Sequence, residues 1–540
     1  MPRRLWLSLA LLAIGAGFLA TSRLAGAAPP VGGIFRVGMT GASVQIDPQL
    51  AYITTAWWLE YATAAKLFNW SDRGRLVPEV ASRVAVSNRG RTYTFFLRKG
   101  FRFSDGSPVT ARSFSYAIDR VANHDLASPG AQFITDSNGT HIVGAREVSE
   151  GVAAHVRGVR VRGRYKLVIR LVKADETFLS KLTMPFFQAT STRLPLTHEV
   201  LEGYPSAGPY AFTQNEVNVL TSIRRNPYWK QGPGRRRPGN LAGVDIRWNL
   251  NEQTAFEQVE ANELDEGPLP AAEVHGVVDR YGVNRTRFWS MPTNCIGYLA
   301  LNSHRPLFRR VAVRKAINWA VDRTALSGQA GIAAASPWTH LLPPLFPGSI
   351  TARRLQPYSV HANLAKARKL VGSNVRQLKI NVGYRSSGTV DPAQAELVRR
   401  ALIRLGFRAG NITMKAYSGG DLYTAMGVRG SELDMGVSLG LCGDYPNPYT
   451  FLRMFLDPSS PTAVDSPKYR TKLAAVNSLP EDARLKALGK LDLQITRNLA
   501  PAAVFRTYNN RYFFSNRVDP HSLAYSGVYE DWSIPALALK

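Results

Sequence analysis

The chain has 540 residues, enough for about three or four domain-sized units. Hydrophobic residues make up 45% and charged residues 20%, which excludes a wholly disordered chain; two cysteines exclude both a disulfide-dense scaffold and a four-cysteine zinc site. The net charge is +28, but the basic clusters at 157–170, 224–237, 305–323 and 399–408 are spread along the chain, which fits a basic surface better than one nucleic-acid-binding face.

The first segment reads as an export signal. Arg3 and Arg4 precede an apolar run over residues 5–20, and Ala25-Gly26-Ala27 puts small residues where a signal peptidase cuts. Residues 1–27 are therefore expected to be removed. The run is shorter than the ~20 residues of a membrane span. No cysteine lies near the cleavage site, so a lipid anchor is not expected. Export would place the chain on the periplasmic or extracellular side of the cytoplasmic membrane, away from nucleic acid.

Residues 34–39 read as a strand, and Asp47-Pro48 as a turn. A helical stretch spans 52–67. A strand is expected over 92–97, then a turn over 104–108, then a helix capped by Thr110 with Phe114, Ile118 and Val121 on one face. Residues 159–171 alternate apolar and basic side chains and read as one half-exposed strand with a slip in phase. The Gly- and Pro-rich run 232–239 cannot be regular structure. Strand 243–250 and helix 254–264 follow. A second unit begins near Cys295 with strand 296–301 and helix 310–322. Strand 378–382, helix 392–405 and strand 411–416 read as a βαβ unit, and 433–441 as a further strand.

Most signatures of catalysis fail. Gly489-Lys490 is followed by Leu491 rather than Ser or Thr, so there is no phosphate loop. His198-Glu199 begins like a zinc-protease helix, but Glu202 stands where the second histidine is needed. Gly436-Val437-Ser438-Leu439-Gly440 does fit the G-x-S-x-G nucleophile elbow, with His521 available as a later partner. That motif needs a strand, a tight turn and a helix; here a strand continues and Pro446 and Pro448 follow. A secreted serine hydrolase stands as the alternative reading. No catalytic residue, metal site or cofactor is assigned.

Five segments carry a family resemblance. They are Gly74-Arg75-Leu76-Val77-Pro78-Glu79-Val80-Ala81; Tyr93-Thr94-Phe95-Phe96-Leu97-Arg98-Lys99-Gly100 with Phe103-Ser104-Asp105-Gly106-Ser107-Pro108-Val109-Thr110-Ala111; Ser206-Ala207-Gly208-Pro209-Tyr210 with Arg225-Asn226-Pro227-Tyr228-Trp229; the stretch 302–323; and Cys442-Gly443-Asp444-Tyr445-Pro446-Asn447-Pro448. In this order the chain resembles family 5 of the extracytoplasmic solute-binding proteins of ABC importers, the oligopeptide, dipeptide and nickel-binding type. The resemblance implies an α/β fold, a two-lobed type II clamshell with an extra small subdomain on the first lobe. It implies lobe I over 28–294 with the subdomain at about 67–205, lobe II over 295–505, and a return to lobe I over 506–540.

The resemblance also implies a monomer that captures a small solute, foremost a peptide, by hinge closure and delivers it to a membrane permease. A sugar or metal-chelate ligand in the same fold stays open. In the family an aspartate pairs the peptide's α-ammonium, and the matching residue here is Asp444. A buried ammonium needs such a fixed counter-charge, although an aspartate at this place also suits a turn cap. Leu441 stands where peptide binders often have tryptophan, and Asn447 where they have a second acid. Ser128 and Gly130 match a segment that lines the cleft in some members; Gly130 replaces an aromatic residue, which points to a roomier cavity. The family further implies a disulfide between Cys295 and Cys442, with Cys442 beside the ligand.

Overall fold

The computed structural model describes residues 32–540 apart from 72–74, 137–139, 236, 387–388, 419, 429 and 528–529. The signal expected at 1–27, its cleavage site and Gly74 of the first family segment lie outside the described residues.

An 11-stranded sheet runs through the described residues. From one edge its order is Ile412–Tyr417, Ile380–Arg385, Met435–Cys442, Phe288–Leu301, Ala502–Phe514, Glu266–Gly267, Ile34–Gly38, Gly243–Arg247, Leu220–Arg225 and Tyr210–Glu216, with Ala335–Pro337 paired to Ala502–Phe514 off this path. Strands Phe288–Leu301 and Ala502–Phe514 are the long ones, at 14 and 13 residues, and run antiparallel. Their shared length joins two lobes. Residues 288–292 pair with 509–513 on the first-lobe side, and residues 296–300 pair with 502–507 on the second-lobe side. Between these stretches the register slips at Pro292/Ile296. Pro292 has no N–H to give the ladder, and a bulge lets the sheet bend there.

The second lobe contains the βαβ unit read from the sequence. Ile380–Arg385 pairs in parallel with Ile412–Tyr417, and helix Val390–Leu405 makes the crossover. Its sheet is covered on both faces, by a core around Leu299, Ile317, Val382 and Leu402 and by another around Tyr298, Leu342, Phe451 and Leu491. In the first lobe Phe35, Trp58, Tyr210 and Val244 share a core with Phe514, Trp532 and Leu537. The C-terminal residues thus return to the lobe where the described chain starts; Trp58 Nε1 donates to the Trp532 carbonyl at 2.7 Å.

A separate four-stranded sheet, ordered Ala81–Ser87, Thr92–Leu97, Lys166–Arg170, Val159–Val161, carries the extra region of the first lobe. Thr92–Leu97 alternates as read: Tyr93, Phe95 and Leu97 are buried. Helix Ala111–Ala122 packs Phe114, Ile118 and Val121 into the same core, and Ser113 Oγ accepts from the Thr110 N–H at 3.2 Å in a capping box. One expectation is corrected. Residues 159–171 form two antiparallel strands rather than one, because Gly163, at φ +68°, turns the chain; the slip in phase was that turn. Arg120 of the helix forks onto Asp47 at 2.7 and 3.1 Å and ties the region to the first lobe. Among the described residues no helix is long and apolar enough to cross a membrane.

Candidate functional site

The crossing strands bring the two cysteines together. Cys295 and Cys442 are direct cross-strand neighbours, joined by a disulfide with Cα atoms 4.0 Å apart. The bridge spans 147 residues of sequence. In the chain-entropy account such a loop contributes about 4–5 kcal/mol.

Just past Cys442 the chain leaves the second lobe and meets the first. Asp444 Oδ1 accepts a 2.7 Å hydrogen bond from the Tyr52 hydroxyl. Tyr445 is buried in the core of the small region, 6.5 Å from the Phe133 ring, and Arg453 reaches Asp136 at 3.7 Å. Asp444 is open to solvent on its cleft side, yet protein crowds the rest of it. That desolvation raises its pKa, and the Tyr52 hydrogen bond pulls the other way. The turn-cap role belongs to Asn447, whose side chain accepts from the Tyr449 N–H at 3.0 Å and starts helix Pro448–Met454.

Two adjoining cavities open here. The smaller, about 230 Å³, is lined by Tyr52, Ile53, Thr54, Trp57, Cys442, Gly443, Asp444 and Glu530. The larger, about 800 Å³, shares Thr54, Cys442 and Glu530 with it. It runs along the crossing strands past Thr293, Cys295 and residues 508–512, and reaches Val37, Gly38, Met39, Glu266 and Asp531 of the first lobe and Tyr423 and Gly440 of the second. Its volume is in the range that encloses a small organic ligand. Gly440 keeps this wall thin: a Cβ there would stand 3.2 Å from the Tyr508 hydroxyl.

The larger cavity has an acidic wall that begins at Glu530, where the two cavities meet. Burial raises the pKa of Glu530 to about 7, partly offset by the Asn294 N–H at 2.8 Å. Asp531 also rises to about 7, from burial first, with the Trp532 N–H and Tyr512 opposing and Glu530 adding to the rise. Glu266 is raised well above the ordinary glutamate value, by burial and then by Asp531.

Of the residues singled out in the sequence, Asp444 and Cys442 line the cleft. Leu441 does not; it packs against the second-lobe core around Phe451. Ser128 and Gly130 also lie away from these two cavities. Ser128 is buried, donates to the Gln49 carbonyl and caps the turn Pro129–Ala131. The room expected at Gly130 is filled: a Cβ there would stand 2.8 Å from the Phe186 ring. Ser438 is fully buried and donates to Gln394 Oε1 at 2.6 Å. Its φ of +62° belongs to a bulge where one extra residue of Met435–Cys442 opposes Tyr298–Ala300. His521 sits on an exposed turn beside Asp519, with no hydrogen bond to Ser438. The sequence reading missed Tyr52, Glu266, Glu530 and Asp531. Asp531-Trp532 in a C-terminal stretch was the one local signal available, and it carries no motif.

Comparisons with known proteins agree with this geometry. The profile of the bacterial extracellular solute-binding proteins, family 5 middle region, matches residues 75–462. A probable deoxycholate-binding periplasmic protein, YgiS of Escherichia coli K12, is 26% identical over 62% of this chain and 62% of its own length. The chain thus spans less than two thirds of that relative. The periplasmic oligopeptide-binding protein OppA of Escherichia coli K12 is 24% identical over 78% of this chain and 77% of its own. Among solved structures, clavulanic acid biosynthesis oligopeptide binding protein 2 superposes with a TM-score of 0.79 at 20% identity, covering 94% of this chain and 96% of that one.

Proposed function

Because the chain belongs to family 5 of the bacterial extracellular solute-binding proteins, we propose that it captures a peptide between its lobes and hands it to an ABC permease after export. The moving bodies are residues 28–294 with 506–540 on one side and 295–505 on the other. The slipped register at Pro292/Ile296 supports a hinge in the crossing strands. Closure is a two-state motion, and the solute shifts its population by binding the closed form better. A micromolar site supplies about −8 kcal/mol for this.

The observation that carries the reading is Asp444, fixed by the Tyr52 hydroxyl across the lobes and facing a cavity. Oδ1 is engaged by Tyr52, and Oδ2 is left to take an α-ammonium. The charge-assisted contact would favour the ionised carboxylate that desolvation alone opposes. The acidic cavity wall also favours a cationic solute over an anionic steroid such as deoxycholate. The serine-hydrolase reading loses its support, because the Ser438 hydroxyl is buried and already bonded to Gln394.

A thermal-shift panel of free-amine peptides, N-acetylated peptides, sugars and deoxycholate tests the proposal. The expected result is stabilisation by free-amine peptides alone, reduced by Asp444→Ala. Equal stabilisation by acetylated peptides contradicts the role of Asp444.

A further inference from the structure

Glu266 lies on the two-residue strand Glu266–Gly267, which is clamped between Ile34–Gly38 and Ala502–Phe514. Its side chain is 8% exposed, and Oε2 has no hydrogen-bond partner in the protein. It lines the larger cavity together with Glu530 and Asp531. These two come from a distant turn that ends beside the slipped register, where Glu530 receives the Asn294 N–H. The chain carries 67 Lys and Arg residues, yet among the described residues none forms an ion pair with these three carboxyls. Arg511 lines the same cavity without pairing with them.

Oε2 itself is shut off from the cavity, but a carboxyl group that lines a cavity and receives no protein donor is completed by a donor that the ligand brings. Among the described residues the carboxyls are not gathered into a metal-holding cluster. The donor they suit is therefore an organic cation that reaches several oxygens in turn. We propose that the Glu266–Glu530–Asp531 end of the cavity is a cation subsite that takes the ammonium or guanidinium group of a lysine or arginine side chain of the bound peptide. The inference rests on the peptide reading above and names the preferred class: peptides with a free amino terminus at Asp444 and a basic side chain in the adjoining larger cavity, which Glu530 shares with the smaller one. Burial that raises the pKa values of all three groups agrees with carboxyls awaiting a counter-charge.

The test is native mass spectrometry of the purified protein with an equimolar library of tri- to pentapeptides, with spermidine titrated in parallel. Lysine and arginine should be enriched about 10-fold over neutral side chains of similar length in the retained peptides. Glu266→Gln, which keeps the side-chain size, should remove most of that enrichment. Asp531→Asn serves as a second variant, and circular dichroism checks that each is folded. Retained peptides without basic enrichment, or an enrichment unchanged in both folded variants, overturn the subsite. Spermidine binding that depends on Glu266 while no peptide is retained upholds the subsite and overturns the peptide reading. Binding of neither overturns the subsite.

Discussion

Two buried carboxyls of the first lobe make an instructive pair. Asp47 is 1% exposed and receives both arms of Arg120 and the backbone N–H of Gln49. Glu266 is 8% exposed and has no such partner. Removing a carboxylate from water is costly in both places. At Asp47 the protein offsets that cost itself, and the result is a joint that holds the small region on the lobe. At Glu266 no protein cation does so; burial raises its pKa, so the group holds its proton until a cation enters the cavity. A buried carboxyl paired within the protein holds the architecture together, whereas an unpaired one beside a cavity is free to take a partner.

The largest expected effect converts the first case into the second. Arg120→Ala leaves Asp47 buried and alone, and should lower stability by about 3–5 kcal/mol in urea unfolding. A loss below ~1 kcal/mol would mean that the joint is not structural. Ser438→Ala should cost about 1–3 kcal/mol, since Gln394 Oε1 loses its buried donor. Solute affinity should stay as it was, and a change in affinity would return Ser438 to the site. Asp444→Ala should weaken free-amine peptide binding about 10-fold or more, read by calorimetry, with little change in unfolding midpoint.

The smallest effect separates the two carboxyls by their folding cost. Glu266→Leu removes an unpaired buried acid, so the unfolding midpoint should hold or rise by up to about 1 kcal/mol in stability, while basic-peptide affinity falls. The pH dependence has a definite sign. Glu530 and Asp531 have folded pKa values raised to about 7, above their unfolded values. The stability they contribute is full below the unfolded values and is lost as pH rises through about 7. Glu266, Arg511, Tyr512 and Tyr525 face the same pair and should shift the midpoint without changing the sign. A cationic peptide takes up the charge thus created, so its thermal shift should widen between pH 5 and pH 8 in differential scanning fluorimetry. A shift that narrows would contradict the cation subsite.

Much of the scaffold was legible from local pattern. Tyr93, Phe95 and Leu97 alternate because one face of their strand is buried. Thr110 and Ser113 cap the helix that Phe114 and Ile118 anchor, and the βαβ unit follows its own periodicity. The failures lie where the backbone departs from that pattern. A turn at Gly163 mimics a phase slip within one strand, and a bulge at Ser438 mimics a nucleophile elbow. Asp444, which a family segment singles out, does line the smaller cavity. No local pattern marks Glu266 and Glu530, which are 264 residues apart and line one cavity only because the C-terminal stretch folds back on the crossing strands. Gly130 shows the converse error: a missing side chain predicts space only if no other ring, here Phe186, fills it.

With Asp444, Glu266, Glu530 and Asp531 on its walls, the interlobe cleft suits a small cationic solute. Native mass spectrometry of the purified protein, with identification of the molecule released on denaturation, tests it most directly. The expected release is short peptides with a free amino terminus and an excess of basic side chains. Release of a stoichiometric anionic solute, such as a bile acid, would contradict it.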